Sequence, residues 1–351
     1  MMGRTKERNW ESMKIGNVSG TVLKRSILKQ LHTVRDESMF EPASEEMCAG
    51  IRVKESAPVI FSGTSVYGSA KSIGIFAMAR AVNDIAARGA DPIGVDVQIQ
   101  LPPYAYESRL KAMVEWMEQA AERQNLQILC AKAEVSPAIC EAIVHVNAVG
   151  TAEEEIPQKM VAEAGQDIVL AGWIGLEGML RVAGRKEEEL AKRFVPAFLN
   201  RIKGMEQELF ALEQIWTARE HGASAIYQIG PGGILATLWE AAEAADVGLE
   251  ADMKKMSIQQ ETVEICEYFR LNPYQMTSVG SLLIFTQNGE ALVQKLQEAG
   301  KQAAVIGHTT NRKERVLSGG SERRFLDRPQ PDELARIYES FIEQDRKEGK
   351  V

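Results

Sequence analysis

The sequence predicts a mixed α/β protein of two domains, and three observations carry that prediction. Short valine- and isoleucine-rich runs alternate along the chain with longer stretches whose apolar residues recur every three or four positions. A chain of 351 residues with 45% hydrophobic content is long enough to bury more than one core. Between its halves lies a charged stretch containing Pro157, TAEEEIPQKMVAEAGQ at 151–166, where both patterns are weakest. The boundary is placed there. It gives a 1–12 flexible extension, a 13–155 N-terminal domain, a 156–335 C-terminal domain and a 336–351 helix or tail.

The elements follow in order. Residues 73–88 read as a helix that stops at Arg88-Gly89-Ala90-Asp91-Pro92, with a turn after it. In 107–124, Leu110, Met113, Val114, Met117 and Ala121 share one helical face, with charges opposite. LQILC at 126–130 and IVHVNAVG at 143–150 are β-like, and IVLAG at 168–172 opens a second cycle. A long helical pattern then runs from Leu176 to Phe194. AIYQIG at 225–230 reads as a strand and ILATLWEAAEAADVG at 234–248 as a helix, with Gly248 as its stop. SLLIFTQ at 281–287 and AAVIGHT at 303–309 are strands that flank a helix over 288–300. Trp116, Trp173 and Trp239 lie in or beside apolar patterns and are expected in the core.

Composition excludes several functions. A net charge of -8 leaves no electrostatic footprint for nucleic acid or anionic lipid. No apolar run approaches the roughly 20 residues of a membrane helix, and Met1 to Ser12 lacks the apolar segment of a secretory signal. Cys48, Cys130, Cys140 and Cys266 show no C-x-x-C pairing. That argues against a disulfide framework or zinc knuckle and for a reducing, cytoplasmic location.

Three segments have the residue types for chemistry. Asp84, in NDIAARGADP at 83–92, faces the negative end of a helix dipole, which costs about a few tenths of a kcal/mol unless a cation offsets it. A metal ion would do so, and so would a surface pair with Arg80. The turn Gly230-Pro231-Gly232-Gly233 joins a strand to a helix, where backbone N–H groups can receive an anion. No Gly-Lys-Ser/Thr follows, and a plain turn with Pro231 near the first helical turn is the simpler reading. Glu134, after a strand, suits a metal or a ribose, or is simply solvated. His32, His145, His221 and His308 share no spacing, no Ser-His-Asp pattern is legible, and no chemistry is assigned to them.

A resemblance sharpens this reading. MKIGNVSG (13–20), NDIAARGADP (83–92), EVSPAI (134–139), DIVLAGWIGLEG (167–178), GGILATLWE (232–240), ETVEICEYFRLNPY (261–274) and TSVGSLLI (277–284) occur in one order. Over residues 13–335 the chain resembles the HypE-like hydrogenase expression/formation proteins of the aminoimidazole-ribonucleotide-synthetase (PurM-like) superfamily. The resemblance implies an N-terminal domain whose sheet pairs with that of a second subunit into a shared barrel, and a C-terminal α/β domain beside it. It also implies a homodimer with ATP and magnesium at the interface, and ATP-dependent phosphorylation or dehydration of a small substrate. By the same resemblance Lys132, Glu134, Gly230, Gly232 and Gly233 would line the nucleotide site and Asp84 would hold magnesium.

The departures from the family pattern bear on that chemistry. Where members carry Gly-x-Asp, this chain reads Ser44-Glu45-Glu46-Met47-Cys48-Ala49. The aspartate after a threonine at the end of the next strand is absent from Gly63-Thr64-Ser65-Val66. The Gly-Gly-Asp/His-Thr turn is Cys130-Ala131-Lys132-Ala133, and two C-terminal acids correspond to Gln228 and Pro231. Asp84 is the expected metal-ligand aspartate that survives. Magnesium needs hard oxygen ligands, and Ser65 and Gln228 neutralise none of its charge. Lys132 could meet phosphate directly, which would allow nucleotide binding without magnesium. The terminal cysteine that carries the transferred group in HypE is replaced here by Lys347-Glu348-Gly349-Lys350-Val351. The favoured expectation is a non-catalytic or weakened homodimer that binds a small molecule or protein partner in the old cleft. An ATP-using enzyme with Asp84 and Glu134 on the metal ranks second. A structural partner that lends half a barrel to an active paralogue ranks third.

Overall fold

The computed structural model describes residues 13–43, 48–153, 155–157, 159–320 and 322–338. The expected 1–12 extension, the tail beyond Tyr338, and Ser44 to Met47 lie outside the described residues.

The N-terminal half runs β1 (Gly16–Asn17), a helical turn α1 (Gly20–Val22), β2 (Val59–Gly68), α2 (Ile73–Ala87), β3 (Asp91–Leu101), α3 (Glu107–Arg123), β4 (Gln127–Val135) and β5 (Ala142–Thr151). Its strands form one sheet in the order β1-β4-β3-β5-β2. β3 and β4 are parallel, as the intervening helix α3 requires, and β1 is antiparallel to β4. Alternation along β3 buries Val95, Val97, Ile99 and Leu101 and leaves Asp96, Gln98 and Gln100 on the other face. β5 does the same with Val144 and Val146 against His145 and Asn147. A Cβ at Gly74 of α2 would run into the side chain of Met117 on α3, so glycine sets how closely those helices pack.

The C-terminal half runs β6 (Asp167–Ala171), α4 (Leu176–Arg185), α5 (Glu187–Leu190), α6 (Pro196–Gly204), α7 (Leu212–Glu220), β7 (Ala225–Gln228) and α8 (Gly233–Ala245). β8 (Gly248–Asp252), α9 (Gln260–Phe269), β9 (Leu282–Thr286), α10 (Gly289–Glu298), β10 (Ala303–Thr310), β11 (Arg315–Gly319) and β12 (Glu322–Phe325) follow. The second sheet is mixed, in the order β12-β11-β8-β10-β6-β9-β7. Ile168, Leu170, Leu283, Phe285 and Ile306 from its strands and Ile234 and Leu238 from α8 build its core. Mixed α/β architecture is therefore present in both halves.

Contacts divide the chain into two compact units. One holds the chain up to Lys54, Gly63–Met78 and Ile93–Ala148; the other holds Glu55–Ser62, Ala79–Pro92 and the chain from Val149 on. Among the described residues no helix is long and apolar enough to cross a membrane.

Several expectations are corrected. The pattern from Leu176 to Phe194 is not one helix: Lys186, two residues after Gly184, leaves the helical region at φ -107° and ψ 24°, and the turn lets Leu190 become fully buried. Gly248 does not stop α8. Asp246 ends it in the left-handed conformation, at φ 56°, and Gly248 opens β8 where a Cβ would collide with the carbonyls of Arg312 and Glu314. Asp91 and Pro92 begin β3 rather than a turn. Trp116 is 38% exposed and Trp173 half-buried, whereas Trp239 packs on the second core with the Arg315 guanidinium 4.1 Å from its ring centroid.

Candidate functional site

Asp84 sits one turn from the end of α2, exposed at its surface but with both carboxylate oxygens engaged. Its carboxylate accepts from Gln228 Nε2 at 2.7 Å and from Ser62 Oγ at 3.3 Å. Burial pushes its pKa up, and the bonds from Ser62 and Gln228 and the charge of Arg80 work the other way. Arg80 is not the surface partner expected for Asp84. Its guanidinium reaches the buried Glu177 carboxylate and Thr277 Oγ1, both at 3.1 Å. Gln228, at the end of β7, is held in turn by Asn83, whose Nδ2 donates to Gln228 Oε1 and to the Leu209 carbonyl, each at 2.8 Å. Asn83 Oδ1 accepts the Ala211 amide at 2.9 Å, so the fully buried Asn83 is satisfied on both sides.

The glycine turn lies just beyond Gln228. Gly232 and Gly233 take φ 83° and 67°, which favours glycine at both positions. A Cβ on Gly233 would lie 2.5 Å from the Tyr274 carbonyl oxygen and 2.8 Å from the Met276 amide nitrogen, whereas at Gly230 it would meet open space. The anion that the turn receives belongs to the chain itself. Asp332 Oδ2 accepts the amides of Gly232 at 2.9 Å and Thr277 at 2.8 Å, and its Oδ1 accepts the Leu334 amide at 2.9 Å. Burial raises the Asp332 pKa, these three backbone bonds lower it, and the charge of Glu177 raises it again. Asp332 carried no signal in the sequence, being one of several acids in a proline-containing segment.

Lys132 and Glu134 belong to β4 in the first unit, where alternate positions put both on its polar face. Glu134 is not simply solvated: its Oε1 accepts from Gln100 Nε2 of β3 at 2.9 Å. Lys132 is exposed and lines a cavity of about 200 Å³ with Asn17, Leu23, Leu28, Cys48 and Cys130. Burial and the neighbouring Asp96 push the Cys130 thiol pKa up, while Lys132 opposes them. The same unit brings a histidine into a polar relay that the sequence did not show. Ser65 Oγ lies 2.8 Å from His145 Nδ1, His145 Nε2 lies 3.1 Å from Asn147 Oδ1, and Asn147 Nδ2 donates to Asp96 Oδ2 at 3.3 Å. An i, i+2 pair on one strand face was the available clue. Its partners on β2 and β3 follow only from the strand order.

The donor set at Asp84 does not suit magnesium. It comprises one carboxylate whose oxygens already accept an amide and a hydroxyl, and a carboxamide that presents its N–H side. Among the described residues no group of three or more His, Cys, Asp or Glu could hold a metal ion.

Models of the AIR synthase related protein family match the chain in both halves, the N-terminal domain over residues 47–152 and the C-terminal domain over 163–319. A putative hydrogenase expression/formation protein of Methanocaldococcus jannaschii is 22% identical over 339 residues, covering 92% of this chain and 97% of that protein. The crystal structure of Escherichia coli HypE, a hydrogenase maturation protein, superposes with a TM-score of 0.73 at 22% identity, covering 91% of this chain and 100% of that one. A structure of HypE in complex with ATP gives a TM-score of 0.67 at 17% identity, covering 89% and 95%. The fold is thereby that of the PurM-like, HypE-like proteins.

Proposed function

We propose that this chain, which belongs to the AIR synthase related protein family in its HypE-like branch, is a homodimeric binding protein with an eroded ATP and magnesium site. It takes a nucleotide or another small anionic ligand in the cavity beside Lys132, and does not carry out magnesium-dependent phosphoryl transfer. The observation that carries this reading is the hydrogen bond from Gln228 Nε2 to Asp84 Oδ1. An amide donor has taken a position where a second carboxylate would have added charge for a cation. Phosphoryl transfer depends on cations that neutralise the developing charge, and a single donor-capped carboxylate supplies little of that. Lys132 can meet a phosphate as a point charge without any metal. ATP bound to a HypE relative supports the ligand class, and that ligand comes to this chain only by proposal.

The dimer is part of the same reading. The first sheet ends on β2, an edge strand whose Phe61 and Tyr67 are 70% and 47% exposed. Pairing with a second copy is one way to cover such an edge. Titration calorimetry with a non-hydrolysable ATP analogue, with and without magnesium, tests the function. Binding that magnesium does not strengthen, and that Asp84→Ala leaves in place, is the expected result. Binding that requires both magnesium and Asp84 would favour the alternative, an ATP-dependent enzyme on a small substrate. Light scattering on the same samples tests the dimer, and a monomer at all concentrations would remove it.

A further inference from the structure

Two of the four cysteines, far apart in sequence, line one cavity in the first unit. Cys130 belongs to β4, whose pairing with β3 fixes its backbone. Cys48 is exposed and lies in chain without regular structure. That chain is tethered just beyond it, because the Met39 amide donates to the Gly50 carbonyl at 2.8 Å and Ser38 forms a bridge with Ile51. One sulfur is therefore held by the sheet and the other lies two residues from a tethered position at Gly50. The charge of Cys48 bears on the Cys130 thiol, which places the two within electrostatic reach.

We propose that Cys48 and Cys130 form a modification site, converted by a low-molecular-weight disulfide such as glutathione disulfide into an intramolecular disulfide that narrows the cavity. The bond stands on the placement of the two thiols. Its consequence for a ligand rests on the reading of that cavity given under the proposed function.

The chemistry divides the roles. The thiolate is the nucleophile in exchange, and the exposed Cys48 meets the reagent first. Its Sγ attacks one sulfur of the reagent, a mixed disulfide forms, and one glutathione thiolate leaves. Cys130, with its thiol kept protonated by burial and by Asp96, hands its proton to that carboxylate or to solvent and attacks the Cys48 sulfur. The second glutathione leaves as a thiolate. Two protein thiols have then lost two electrons and two protons, and one reagent disulfide has become two thiols. The other cysteines provide internal controls. Cys140 is exposed but does not line this cavity, so it stops at the mixed disulfide. Cys266 is buried, lies 3.4 Å from Met276 Sδ and has its pKa pushed up to about 12, so it stays unmodified.

The test is peptide mapping by mass spectrometry of the full chain after treatment with glutathione disulfide and alkylation of remaining thiols. A Cys48–Cys130 cross-linked peptide is expected, with glutathione on Cys140 and an alkylated Cys266 only after denaturation. Cys130→Ser should leave glutathione trapped on Cys48, and Cys48→Ser should leave Cys130 unmodified. Wild-type chain carrying glutathione on Cys48 with no cross-link would overturn the proposal, as would a cross-link of Cys48 to Cys140. Titration with the ATP analogue then reads the consequence, with about tenfold weaker binding by the oxidised chain, reversed by reduction and absent in Cys48→Ser. If the reduced chain binds no nucleotide, the functional reading of the cavity fails, while the mapping still decides whether the disulfide forms.

Discussion

Asp84 and Asp332 are both carboxylates of the second unit that accept several hydrogen bonds, the first exposed and the second partly buried, and they differ in what holds them. Asp84 is held by two side chains, the hydroxyl of Ser62 and the amide of Gln228. Asp332 is held by the backbone amides of Gly232, Thr277 and Leu334. The side-chain cradle can be rewritten by a single substitution at Ser62 or Gln228. The backbone cradle exists only because the glycine turn and the segment around Thr277 are folded. The difference separates a site whose chemistry one side chain sets from a turn that already holds an anion of its own chain.

The largest expected effect is on the Asp332 side. Asp332→Ala leaves the amides of Gly232 and Thr277 without their acceptor in a half-buried turn, and should cost about 3 kcal/mol of stability in urea unfolding. A loss below about 1 kcal/mol would mean that water replaces the carboxylate and that the turn can take an outside anion. The second effect rewrites the other cradle. Gln228→Asp places a second carboxylate against Asp84 and removes the donor, at a cost of about 2 kcal/mol near neutral pH. Added magnesium should recover much of that in the variant and do nothing for wild type, because paired carboxylates are what the cation lacks. Equal magnesium response in both proteins would break the contrast.

The two cradles also differ in how far the sequence disclosed them. Asp84 was legible because it belongs to a motif at the end of a helical pattern that the fold keeps as α2. Its partner Gln228 was legible only as a departure from a resemblance. Asp332 was invisible, since its partners are backbone amides and the one at Gly232 lies 100 residues away. The alternation of strands and helices was readable wherever apolar runs were unbroken. β2 was missed because Ser62, Gly63, Thr64 and Ser65 interrupt its apolar residues on a strand with an exposed face. The Ser65–His145–Asn147–Asp96 relay and the Cys48–Cys130 cavity depend on strand order and loop path, which leave no local trace in sequence.

The smallest expected effect concerns charge alone. Burial raises the Asp84 carboxyl above its unfolded pKa. In the window between the two values the folded chain keeps a proton that the unfolded chain has released, so this group's contribution falls as pH rises through that window and stays low above it. Asp84→Asn removes the titration and retains an oxygen that can accept from Gln228. Urea midpoints of variant and wild type should therefore agree in acid, below the ordinary aspartate range, and diverge toward neutral pH. There the variant should be more stable by at most about a few tenths of a kcal/mol, because solvent screens the exposed carboxylate. A variant less stable than wild type at neutral pH would show that the charge of Asp84 is stabilising on balance, through the donors Ser62 and Gln228, through Arg80 or through a metal. Repeating the comparison with magnesium present separates the metal from the others, because they act without the ion.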